Sequence, residues 1–145
     1  MHKIIGMLVM GIGLTTSLHA QEKKMAPFSP SREAKSGFEH QFPGATNVTW
    51  EKEGNLFEVN FKQNGKELSA LFEPNGTWTE TETAIAASAL PARSAEYLQQ
   101  NYSGKKVKGA AKIVKADGTV NYEAEVAKMD VLFDAQGKFI KEVKD

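Results

Sequence analysis

The chain has no cysteine. That excludes disulfides, thiolate metal sites, a thiol nucleophile and a lipid-bearing cysteine behind a leader. Histidine is nearly as scarce. His2 and His19 fall within residues 1–20, which leaves His40. One imidazole cannot build a histidine-rich zinc site within a chain. A Ser-His-Asp triad would have to use His40, and no motif supports one. Net charge is absent as well: 18 Lys and Arg balance 18 Asp and Glu. Nucleic-acid binding rests on clustered bases, so neutrality argues against that partner. The apolar run at residues 4–14 is too short to span a bilayer.

That run belongs to a targeting pattern. Lys3 precedes it, and a more polar tail at 15–20 ends in Ala20. Residues 1–20 therefore read as an export signal cut between Ala20 and Gln21. The expected compartment is the periplasm or the exterior. Residues 21–28 are polar, carry Lys23 and Lys24, show no period and read as a flexible tether. An exported protein without disulfides has to be held by packing alone.

The rest of the chain repeats itself. Leu71, Phe72 and Gly76 return as Leu132, Phe133 and Gly137, sixty-one positions later. Residues 29–90 and 91–145 are expected to be two copies of one unit. Each alone would bury little surface, so the pair should share one sheet and core in a single domain. The first copy is acidic and the second slightly basic.

Within each copy a helix precedes four strands. Ser29 should cap the first helix, with Pro30 at its first position and Glu33 near the positive end of its dipole. Ala34, Phe38 and Phe42 form its stripe; Pro43 and Gly44 stop it, and Gly37 weakens its middle. Strand alternation follows. Val48 and Trp50, then Phe57, Val59 and Phe61, then Leu68, Ala70 and Phe72 face one way. A fourth strand carries Trp78 and runs to Thr83. In the second copy Pro91 opens a helix striped by Leu98 and Tyr102. Strands at 107–115, around Tyr122–Ala124–Val126, around Met129–Val131–Phe133, and at 139–143 follow. Short Gly-, Asn- and Pro-bearing turns predict antiparallel neighbours.

These residues carry a family resemblance. The ordered set is Phe38-x-x-x-Phe42-Pro43-Gly44-Ala45, Val48-Thr49-Trp50-Glu51, Phe57-Glu58-Val59-x-Phe61, Leu71-Phe72-Glu73-x-x-Gly76-x-Trp78, Leu90-Pro91 and Phe133-Asp134-x-x-Gly137-x-Phe139. Over residues 29–144 it resembles the PepSY-like, or β-lactamase-inhibitor-protein-like, family of small exported bacterial proteins. The resemblance implies an α+β fold: two tandem helix-plus-antiparallel-strand repeats, with both helices on one face of a curved antiparallel sheet. It implies no enzyme activity and no particular ligand. True β-lactamase inhibitor proteins carry disulfides, and this chain departs from them there.

The candidate functional residues are acids. Glu51, Glu58 and Glu67 alternate against the apolar set and, with Glu73, should lie on the solvent side of the sheet, away from the helices. No pair stands out for acid–base work. The turns at 73–76 and 134–137 lack the oxygen density of a calcium loop. Trp50 and Trp78 point with the core set, and His40 lies opposite the Phe38–Phe42 stripe. The expectation is a non-enzymatic module without metal or cofactor. It would bind a protein or peptide of the cell envelope through Glu51, Glu58 and Glu67, with inhibition of that partner as one form of the binding. The alternative is a small-ligand or ion-binding envelope protein with its site between the repeats.

Overall fold

The described residues form eight strands in a single antiparallel sheet in chain order. The computed structural model describes residues 28–144. The signal at 1–20, the Ala20–Gln21 junction and the 21–27 part of the tether lie outside the described residues. Helix α1 (Arg32–Gln41) precedes β1 (Thr46–Glu53), β2 (Leu56–Gln63), β3 (Lys66–Phe72) and β4 (Trp78–Ile85). A 3-10 turn (Ala87–Ala89) leads to α2 (Ala92–Asn101), then β5 (Val107–Lys115), β6 (Val120–Val126), β7 (Met129–Asp134) and β8 (Phe139–Lys144). The sheet order is β1-β2-β3-β4-β5-β6-β7-β8. Strands β4 and β5 join the halves from Glu80 opposite Lys115 to Ile85 opposite Ala110. The fold is α+β, with a curved sheet and two helices.

Both helices pack on the same sheet face, each over its own half. Phe38 and Phe42 of the α1 stripe meet Phe61, with ring centroids 5.0 and 4.7 Å apart, and Trp50 closes on Phe38 at 5.6 Å. Phe72 lies at the bottom of this cluster, fully buried. Over the second half Leu98 packs with Ala124, Val126, Val131 and Phe133. Tyr97 stacks on Phe139 at 4.6 Å. Trp50 and Trp78 are half-buried against the first cluster, and the Trp78 indole donates to Thr81 Oγ1 at 2.8 Å.

Three local expectations change. The α1 cap is Ser31, not Ser29. The Ser31 hydroxyl accepts from the Ala34 N–H at 3.1 Å and donates to the Pro74 carbonyl at 2.6 Å. It satisfies a free helix N–H and docks the helix on the β3–β4 turn at once. Val48 is 39% exposed instead of facing the core. A register shift between Thr46 and Thr49, with Asn47 in the left-handed region, breaks the alternation just before Trp50. Strand β4 continues past Thr83 because Ala84 and Ile85 find partners in Ala111 and Ala110.

Gly37 has a packing role beyond weakening its helix. A Cβ there would meet the Gly76 carbonyl oxygen at 2.3 Å. The missing side chain lets α1 lie directly on the β3–β4 turn, where Gly76 adopts a φ of 92°. In the second half Ser94 reaches the β7–β8 turn instead, its hydroxyl donating to the Gly137 carbonyl at 3.2 Å. Among the described residues no helix is long and apolar enough to cross a membrane.

Candidate binding face

On each strand the residues between the core positions point away from the helices. Strand register sets them in rows across the open face. One row runs Glu51, Glu58, Leu71, Glu80 and Lys115. The next runs Asn60, Ser69, Glu82, Ile113 and Asn121. A third runs Ala84, Ala111, Glu123, Leu132 and Lys141.

The centre of this face is buried, although no described helix covers it. Glu58, Glu82, Glu123 and Asp130 are buried beside Leu71, Ala111, Ile113 and Leu132. Curvature accounts for the crowding. Strands β4 and β7 stand three places apart, about 14 Å in a flat sheet. In the curved sheet the charge of Asp130 on β7 still contributes, after burial, Glu80 and Glu58, to raising Glu82 on β4.

The electrostatic consequence is three acids whose pKa values rise to neutrality or above. Burial, then the charges of Glu51 and Glu53, push Glu58 up to about 7, against the lowering effect of a hydrogen bond with Asn60. Burial, then Glu80, Glu58 and Asp130, push Glu82 up to about 8. Burial, then Glu82, Asp130, Glu80 and Glu125, push Glu123 up to about 9. Both Glu82 carboxyl oxygens and Glu123 Oε2 are buried without a hydrogen-bond partner. All three move up together, with burial as the first cause in each.

The acids singled out from the sequence fall on this face but are not alike. Glu51 lies opposite Glu58 across β1 and β2. Glu51 is exposed. Glu67, exposed beside the β2–β3 turn, pairs with Lys62 at 3.6 Å. Glu58 was expected in solvent, but it is 7% exposed because the curved face closes around it. Glu73 lies past the end of β3, where its carboxylate accepts from the Asn75 amide at 3.1 Å. The second turn is likewise internally bonded: Asp134 Oδ1 accepts from the Gln136 and Lys138 N–H groups, each at 2.9 Å. Sequence reasoning missed Glu82, Glu123 and Asp130. Their outward phase was readable from alternation; their crowding depends on the curve of the sheet.

His40 is exposed on α1, across the sheet from these acids. A cavity of about 300 Å³ opens between α1 and β1, lined by Lys35, Phe38, Phe42, Pro43, Val48 and Trp50 among others. It belongs to the first half alone, not to the β4–β5 seam between the halves.

The architecture defines a class: a small α+β protein whose one sheet is backed by helices and open on the other side. Its family follows from the sequence. The family model described as "Putative beta-lactamase-inhibitor-like, PepSY-like" matches residues 55–141, and the chain belongs to this family. A solved "putative periplasmic" protein of Bacteroides eggerthii superposes with a TM-score of 0.73 at 15% identity, over 81% of this chain and 90% of that one. A BLIP-like protein of Bacteroides fragilis gives 0.67 at 20% identity, over 81% and 87%. At such identities the likeness is one of fold. No curated protein matches the chain.

Proposed function

We propose that this chain is an exported, non-catalytic binding module that takes a protein or peptide partner on the open face of its sheet. The observation that carries the proposal is Glu82, buried on that face with both carboxyl oxygens unpartnered. A buried acceptor without a donor costs free energy and persists where function requires it. Apolar Leu71, Ile113 and Leu132 beside it suit a surface that becomes a dry contact. The periplasmic description of the Bacteroides eggerthii relative favours the envelope as the compartment, in keeping with removal of residues 1–20 after Ala20. The similar order of elements in the two halves favours an origin as two copies of one unit. Inhibition of an envelope enzyme would be one use of such a surface.

The test captures a partner from the producing cell's own envelope and follows its association by surface plasmon resonance. The mass of the exported protein should place its N-terminus near Gln21. Glu51→Lys/Glu67→Lys alters exposed charge at the margins of the face and should slow association, most at low salt. His40→Ala, on the helix side, should leave association unchanged. Unaltered association by the double variant would remove the open face from the proposal. Loss of binding by His40→Ala would move the site to the helices.

A further inference from the structure

We propose that Glu82 and Glu123 together form a receptor for an arginine side chain presented by the partner. The inference rests on the open face being the binding surface and names the chemistry it selects. Glu82 is 2% exposed with both oxygens unpartnered; Glu123 is 5% exposed with Oε2 unpartnered. The two stand on β4 and β6, flanking β5 from opposite sides. Glu82 lies opposite Ile113 and Glu123 opposite Ala111, so the acids sit diagonally across two adjacent outward positions of β5. Between them β5 projects the methyl group of Ala111 and the side chain of Ile113. Leu71, Ile113 and Leu132 supply apolar walls for the methylene stem of a long basic side chain. A planar guanidinium offers donors on two edges and can bridge two carboxylates, which a compact ammonium does less well. Among the described residues no three acids or histidines are arranged to hold a metal ion, so an organic cation is the better occupant.

Charge surrounding the pair favours the same occupant. Glu58 faces it from β2, Glu80 from β4, Glu125 from β6 and Asp130 from β7; Lys115 on β5 and Lys141 on β8 stand at the ends of their rows. Free of partner, both acids hold protons at neutral pH. An arriving guanidinium favours the carboxylates and drives protons off. Binding at this pair therefore tightens as pH rises, by about tenfold per pH unit for each proton released. An exposed ion pair would show no such slope.

Two blocked tripeptides probe the exported protein, acetyl-Leu-Arg-Leu-amide and its citrulline counterpart, which keeps the shape and lacks the charge. The methyl NMR signals of Leu71, Ile113 and Leu132 report occupancy. The arginine peptide should shift them saturably, at least about tenfold more tightly near pH 8.5 than near pH 6. The citrulline peptide should bind at least about tenfold more weakly. Glu82→Gln/Glu123→Gln should lower arginine-peptide affinity by about tenfold or more and remove the pH slope. Glutamine resembles the protonated acid in shape, so this variant is expected to fold. Equal binding of both peptides, undiminished binding by the glutamine variant, or no saturable shift would overturn the proposal. So would calcium alone producing the same shifts, since the pair would then hold a metal. If Glu51→Lys/Glu67→Lys slows capture of the natural partner while the glutamine variant binds the peptide as wild type does, the receptor fails and the binding face stands. If the natural partner ignores the charge reversal, the binding face itself fails.

Discussion

Replacing Glu82 by glutamine should make the protein more stable in mild base and change it little in mild acid. The sign follows from proton counting. Folding raises the Glu82 pKa from 4.5 to about 8. Between those values the folded chain holds a proton that the unfolded chain has released. Stability therefore falls as pH rises, by about 1.4 kcal/mol per pH unit for one group. Below the lower value both states are protonated and the loss vanishes; above the upper value it is complete. Integrated over the whole interval the loss is about 5 kcal/mol. That is an upper limit, because an ionised side chain on an open face can turn toward water. A measured loss of about 2 kcal/mol would fit the burial. Glu82→Gln carries no titrating proton and should escape it. Urea unfolding near pH 5, just above the unfolded value, should leave the variant ahead by under about 1 kcal/mol. Near pH 8.5 the variant should lead by about 2 kcal/mol. Equal stability at both pH values would mean that Glu82 ionises as freely as an exposed acid, and the reasoning from burial would be refuted. A variant weaker near pH 5 would mean that the carboxyl has a partner only an acid can serve.

Two further expectations concern packing. Gly37→Ala should lower stability by about 1–3 kcal/mol, because its Cβ would stand 2.3 Å from the Gly76 carbonyl and the helix would have to lift off the turn; an unshifted thermal midpoint would contradict that contact. Phe72→Ala and Phe133→Ala remove fully buried rings and should each cost about 3–5 kcal/mol in denaturant unfolding; a cost under roughly 1 kcal/mol for either would mean that its site is not close-packed.

The strands were legible in the sequence because period-two alternation is a local property. Phe57, Val59 and Phe61 need only their own neighbours to declare a face, and they are found against the α1 aromatics. The same holds for Tyr122, Ala124 and Val126 under α2. The errors arise where a distant group decides. Ser31 displaces Ser29 as cap because the Pro74 carbonyl, forty-three residues away, receives its hydroxyl. Gly37 reads as a weakness until the Gly76 backbone is seen beneath it. Val48 loses its phase to a register shift that no pattern of apolar residues announces. The candidate face combines both cases. Alternation alone puts Glu58, Glu82 and Glu123 on the outward side, and outward acids are ordinarily solvated. What changes their chemistry is the curvature of eight paired strands. It closes the face around them and lets Glu58, Glu80 and Asp130 raise the pKa of Glu82. An acid at the margin, such as Glu67, stays in solvent beside Lys62. One sheet thus carries two kinds of acid, set apart by position rather than by residue type. The marginal ones can steer a partner of opposite charge through water. Those at the centre, already stripped of water, can discriminate among the groups that reach them, because an ill-matched group leaves their oxygens unsatisfied.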